Sequence, residues 1–208
     1  MPAGYVFSIW GLIYLGLIAY GIFQILPVNS DSGNLRSIGW LFVGTSVANI
    51  VWLFLWHYAQ FVWSIFAMLS LLVLLILIYE RLWQARNLAS RVELWSVHIP
   101  FSIYLSWITV ATVANATTVL DFVGWGGWGI PDVIWAVIML VIATAIGLLV
   151  VFRRNDPAYG LVLVWAFVGI ARKHMGTTSV EFTAWITASI MMLFVLYRWI
   201  KSRRSVAI

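Results

Sequence analysis

SIGWLFVGTSVANIVWLFLWHYAQFVWSIFAMLSLLVLLILIY, from Ser37 to Tyr79, runs for 43 residues without a single Lys, Arg, Asp or Glu. One membrane-spanning helix needs about 20 apolar residues, so this stretch is long enough for two. Its only polar interruption is His57-Tyr-Ala-Gln60, which places a tight helical hairpin between a span at 38–56 and another at 61–79. The apolar residues do not alternate, so the stretch does not read as strands of a membrane barrel.

The rest of the chain follows the same rule. No charge precedes Asp31, and Tyr5–Leu26 forms a first span ending at the turn Asn29–Asn34. The run after Met1 has no basic leader and no small-residue cleavage site, so it reads as a span and not as a secretory signal. Glu80–Glu93 reads as a charged loop, and Leu94–Val119 as the fourth span. The Gly/Pro cluster from Val123 to Pro131 ends that helix. Val133–Phe152, the short Ala158–Ala171 and Phe182–Tyr197 complete the series. The fold class is all-α: a polytopic transmembrane bundle of about seven helices. Hydrophobic residues make up 63% of the 208 and charged ones only 9%, against about 25% charged in soluble domains. The solvent for most of this surface is therefore hydrocarbon.

Basic residues set an orientation. With seven crossings, Arg36, Arg81, Arg86, Arg91, Arg153, Arg154, Arg198, Lys201, Arg203 and Arg204 share one side, and only Arg172 and Lys173 face the other. Cytoplasmic loops carry the Lys/Arg excess. The reading is N-terminus outside and C-terminus inside, in a bacterial-type cytoplasmic membrane. The net charge of +5 is explained by topology, and no nucleic-acid partner is expected.

The membrane interior is poor in ionisable groups. Every acidic or basic side chain falls near a span end, which argues against a buried Schiff-base lysine or a carboxylate-coupled pump. There is no cysteine. His57, His98 and His174 lie on different segments without metal-ligand spacing, so no metal site is expected. His98, within a span, reads as a packed histidine bonding a neighbouring helix before it reads as a haem ligand. No nucleophile–base pair or phosphate-binding glycine loop occurs, so no catalytic residue is assigned and no cofactor is required.

Aromatic and amide side chains remain. There are 14 tryptophans. Trp40, Trp83, Trp125, Trp128 and Trp199 suit interfacial belts. Others fall inside spans at helical spacing. Trp10 and Tyr14 are one turn apart. Asn49, Trp52 and Trp56 share a face, as do Tyr104, Trp107, Ala111 and Asn115. Such faces either pack against each other, with Asn as interhelical glue, or line a cavity for a flat hydrophobic ligand.

Three motifs bear a family resemblance. The opening, Pro2 to Tyr14 with Trp10 between, resembles the start of the second helix of the TspO/MBR family, the tryptophan-rich sensory proteins. Ala48-Asn49-Ile-Val-Trp52 resembles its third-helix Asn-x-x-Trp. Tyr104-Leu-Ser-Trp107-Ile-Thr-Val-Ala111-Thr112-Val-Ala-Asn115 resembles its fifth-helix pattern and is the most specific, with six residues fixed over twelve positions. The resemblance covers about residues 1–118. It divides the chain into a family-like four-helix part, 1–120, and three added helices, 121–208. Ser8 replaces a frequent second proline, Leu53 and Phe54 replace a proline pair, and Met68 falls near a common acidic position. The family's first helix finds no counterpart.

The resemblance implies a bundle that binds porphyrin, haem or sterol-like molecules, as sensor or carrier. Carried over by position, the ligand-binding residues are Trp10, Tyr14, Asn49, Trp52, Trp107, Ala111 and Asn115. Implied partners are membrane lipid and a hydrophobic small molecule, with a homodimer or a larger membrane complex as the protein partner. The competing readings are a facilitative transporter and a structural subunit of such a complex.

Overall fold

The computed structural model describes residues 3–29 and 32–204. Seven helices account for most of them, and no strand occurs among the described residues. They are α1 (Ile9–Ile25), α2 (Gly33–His57), α3 (Phe61–Ala85), α4 (Ile99–Phe122), α5 (Asp132–Arg154), α6 (Pro157–Lys173) and α7 (Thr178–Arg204). Six helical stretches are long and apolar enough to cross a membrane. The exception is α6, whose 17 residues rise about 25 Å, short of a hydrocarbon core of about 30 Å.

The expected boundaries shift in places. Gly4–Ser8 is a 3-10 helix, and α1 begins only at Ile9. The turn expected at Asn29–Asn34 ends sooner, because Ser32 caps α2 by accepting the Leu35 N–H, while residues 30 and 31 lie outside the described set. The charged loop at 80–93 is shorter than its composition suggests, since α3 continues to Ala85. Arg81 there donates to the Ser37 carbonyl and ties α3 to α2. Helices can outrun the hydrocarbon and place such charges among the headgroups. With Leu53 and Phe54 in place of prolines, every backbone N–H is available, and α2 runs unbroken for 25 residues. The hairpin falls where it was expected, with Ala59 in the left-handed region at φ 54°.

The chain divides into two compact units: residues 9–124, and residues 1–8 with 125–208. In the first, α4 is the hub. The apolar window of the Arg91–Phe122 stretch is 61% buried, against 22–28% for the other spans of this unit. Phe101, Ser102, Tyr104, Leu105, Ser106, Trp107 and Ile108 are all buried, so α4 is enclosed all round. Neighbouring helices alternate in direction. Trp10 meets Tyr104, and a Cβ on Gly16 would touch the Pro100 ring, so α1 runs against α4. Asn115 reaches Ser64 and Phe122 reaches Phe61, so α3 does likewise. Arg36, Arg81, Arg86 and Arg91 therefore gather at one end of this unit.

In the second unit, Gly147, Leu163 and Met191 form one layer, and Val151, Gly160 and Val195 the next. These registers make α5 and α7 parallel, with α6 antiparallel between them. The opening residues belong here: the Ala3 N–H donates to the Gly169 carbonyl (3.0 Å), and Trp165 Nε1 donates to the Val6 carbonyl (3.0 Å). Trp125, Trp128 and Trp135 pack ring against ring, and Trp135 Nε1 donates to the Gly127 carbonyl. Trp128 is 80% exposed and sits at φ 54°, a conformation that costs a bulky side chain energy.

Candidate functional site

All seven candidate residues lie in the unit formed by residues 9–124, on α1, α2 and α4. Two aromatic groups flank them. Trp10 stacks on Tyr14 with centroids 5.5 Å apart, one turn along α1, and meets Tyr104 of α4 edge-on at 5.9 Å. Trp52 lies against Trp56 at 5.6 Å on α2, and from there rings continue through Phe61 to Phe122. Tyr14 is exposed, Trp10 and Trp52 are half-buried, and Ala111 is half-buried on the hub helix.

Register sets the levels of the candidates on the three helices. Phe42 touches Phe101, and α2 runs parallel to α4. Asn49 lies two turns beyond Phe42, and so level with residue 108 or so; Trp52 is level with Ala111. The antiparallel α1 brings Trp10 to the level of Tyr104 and beyond. Asn49, Trp52, Ala111 and Asn115 thus occupy neighbouring levels, whereas Tyr14 stands about 20 Å from Asn115 along the bundle. The structure gives no direct contact between the Trp10 and Trp52 groups.

Several polar atoms lie in this region. Asn115 Nδ2 donates to Ser64 Oγ at 2.9 Å, and Ser64 in turn donates to the Phe61 carbonyl at 2.7 Å. This clasp joins α4 to α3. Interhelical bonds of this kind average about 0.6 kcal/mol in membranes, so it sets register more than it sets stability. Asn115 Oδ1 remains buried without a partner, as do Asn49 Oδ1 and Trp52 Nε1 one turn apart on α2. These comprise two acceptors and one donor. A buried polar group left unmet costs about 1–3 kcal/mol, and hydrocarbon supplies no water to meet it. Tyr20 Oη is another such atom, but it sits with Phe42 and Phe101, nearer the opposite end of the helices.

Trp107 is 2% exposed, as Asn115 is, and belongs to the packed core of α4. Ser64 is the residue that sequence reasoning missed. A lone hydroxyl in an apolar run was the available signal, but its partner stands 51 positions away. Tyr104, quoted in the α4 motif, meets Trp10 and so belongs with the site as well.

His98 closes a π-helical turn, Leu94–His98, just before α4, with Nε2 3.8 Å from Glu93 Oε1. Its nearest charged neighbour is thus five residues away on its own segment. Among the described residues, no three His, Cys, Asp or Glu side chains gather where a metal ion could sit.

Seven apolar helices, six of them of spanning length, define an integral membrane protein whose interior chemistry is aromatic and amide. The family model described as TSPO-like protein matches residues 1–197, and the chain belongs to that family. The match extends past residue 118 and through most of α7, so α5 to α7 fall within it. No curated protein and no solved structure matches the chain.

Proposed function

We propose that residues 9–124 bind a flat hydrophobic molecule of the tetrapyrrole or sterol class, as sensor or carrier. The observation that carries this reading is the set of buried, unpartnered atoms Asn49 Oδ1, Trp52 Nε1 and Asn115 Oδ1 at neighbouring levels among aromatic rings. A ligand bearing both hydrogen-bond donors and oxygen acceptors would meet all three. A porphyrin carries propionic acid groups at its edge, whose protonated form offers both, and its flat ring stacks on Trp10, Tyr14 and Trp52.

The test is quenching of tryptophan fluorescence by protoporphyrin in detergent micelles. Saturable quenching is expected, and Asn49→Leu should weaken it about fivefold or more, as expected when a ligand donor is left unpaired. The variant has no partner to lose in the free protein and sheds the cost of an unmet buried group, so its thermal stability should equal or exceed wild type. Equal affinity in wild type and Asn49→Leu, or no saturable binding by a folded wild type, would overturn the reading.

The orientation belongs to the same proposal. Arg36, Arg81, Arg86 and Arg91 share one end of the first unit, and Arg153, Arg154, Arg198 and Lys201 one end of the second. Cytoplasmic loops carry the Lys/Arg excess, which puts the C-terminus inside and Met1 outside. A reporter active only in the cytoplasm should be active when fused after Ile208 and silent when fused before Met1; the reverse pattern refutes this.

A further inference from the structure

The second unit holds a groove of about 640 Å³ between α5 and α7. Ala145 and Leu149 line one wall, Ile190 and Leu193 the other, and Phe152, Phe194 and Tyr197 form an aromatic tier at one end. None of the candidate ligand residues touches it. Just beyond that tier lies a cluster of cations. Arg198 holds its guanidinium over the Phe152 ring at 5.5 Å. Its Nε is buried and has no hydrogen-bond partner. Arg153 and Arg154 end α5 on the same side, because α5 and α7 run parallel, and exposed Lys201 follows one turn after Arg198. Among the described residues, one acidic group, Asp156, stands at this end of the unit, two residues after Arg154. Asp132 and Glu181 begin α5 and α7 at the opposite end, and Asp156 is buried, accepting the Tyr159 N–H at the start of α6.

We propose that this groove is a site for an anionic diacyl phospholipid. One acyl chain lies along Ala145, Leu149, Ile190 and Leu193, and the phosphate sits on Arg198 with Arg153 and Lys201 around it. The complementarity is specific in two respects. The apolar part runs parallel to the helices, as an acyl chain in a bilayer does. The charged part lies at one end only, where a leaflet's headgroups are. A guanidinium offers several donors in a planar fork suited to phosphate, and Arg198 is held over Phe152, a residue of the aromatic tier. A plain lipid-facing surface would not need an arginine fixed across an aromatic ring at that point. The site is independent of the ligand reading for residues 9–124.

Native mass spectrometry of the full chain in mild detergent tests it, with dioleoyl phosphatidylglycerol and dioleoyl phosphatidylcholine added in equal amounts. Wild type should retain the glycerol lipid about fivefold or more over the choline lipid, the discrimination expected from a single basic residue near an anionic headgroup. Arg198→Gln should bring the two to parity. Leu193→Trp, placed on a wall residue that is 67% exposed, should lower retention of both lipids by filling the groove. Equal retention by wild type overturns the proposal, as does a glycerol-lipid preference unchanged in folded Arg198→Gln. Should Arg198→Gln fail to fold, unchanged retention in Leu193→Trp overturns it as well.

Discussion

Trp107→Ala is expected to lose about 3–5 kcal/mol of stability, the range for truncating a large aromatic in a packed core. The side chain is 2% exposed and is among the largest fully buried ones in the protein. It sits midway along the stretch of α4 in which residues on every side are buried. Its loss leaves a void in the core around α4. In a detergent melt followed by near-ultraviolet circular dichroism, Trp107→Ala should unfold many degrees below wild type. Trp107→Phe, which keeps a ring, should recover most of the difference. A melting temperature for Trp107→Ala equal to wild type would show that the residue faces a cavity and not a core. The same reasoning governs how ligand binding is probed. Loss of binding in Trp107→Ala confounds a damaged scaffold with a missing contact. Asn49 and Trp52 separate the two, because their buried polar atoms have no partner to lose.

That distinction was beyond the reach of spacing alone. Tyr104, Trp107, Ala111 and Asn115 share a helical face, and the sequence states this plainly. It does not state what covers the face. In a soluble helix the polar residues mark the outside, and the apolar stripe must be the core. In a membrane the outside is as apolar as the inside, so lipid-facing and core-facing positions read alike. Trp107 and Trp63 are both tryptophans in apolar runs; one is buried and the other is 63% exposed. The spans themselves were legible because charge-free runs of fixed length admit few alternatives. The hairpin at His57–Gln60 was legible because it is the one polar break in 43 residues. The charged stretch after Tyr79 misled for the converse reason. Glu80 and Arg81 continue α3 past the hydrocarbon, and helix ends are not bound to membrane boundaries. Ser64 was invisible as a partner because Asn115 finds it across the bundle, where no sequence period connects them.

Gly160→Ala brings two physical effects into opposition, and their sizes decide the outcome. Alanine is the better helix former by about 1 kcal/mol, and Gly160 lies in the first turns of α6 in ordinary helical conformation. Propensity alone therefore predicts a gain. The added methyl, however, would stand 2.5 Å from Val195 Cγ2 on α7 and 2.9 Å from Val151 Cγ2 on α5. Neither valine can swing away, because a β-branched side chain in a helix has essentially one rotamer. The helices must separate instead, on both sides at once. Overpacking of this kind costs about 1–3 kcal/mol, and here the clash is two-sided, which places it at the upper end. The expected result is a net loss, so the steric effect wins. Gly147 makes a useful contrast. A methyl there would meet Leu163 Cδ1 at 2.2 Å and Met191 Cε at 2.6 Å, closer contacts but with flexible side-chain ends that can shift. Gly147→Ala should therefore cost less than Gly160→Ala, despite the shorter distances. A double-mutant cycle supplies the check. Combining Gly160→Ala with Val195→Ala should cost at least 1 kcal/mol less than the sum of the two single losses, since each removes the other's clash or void. Strict additivity, or a Gly160→Ala protein more stable than wild type, would mean that α5, α6 and α7 do not close on this glycine.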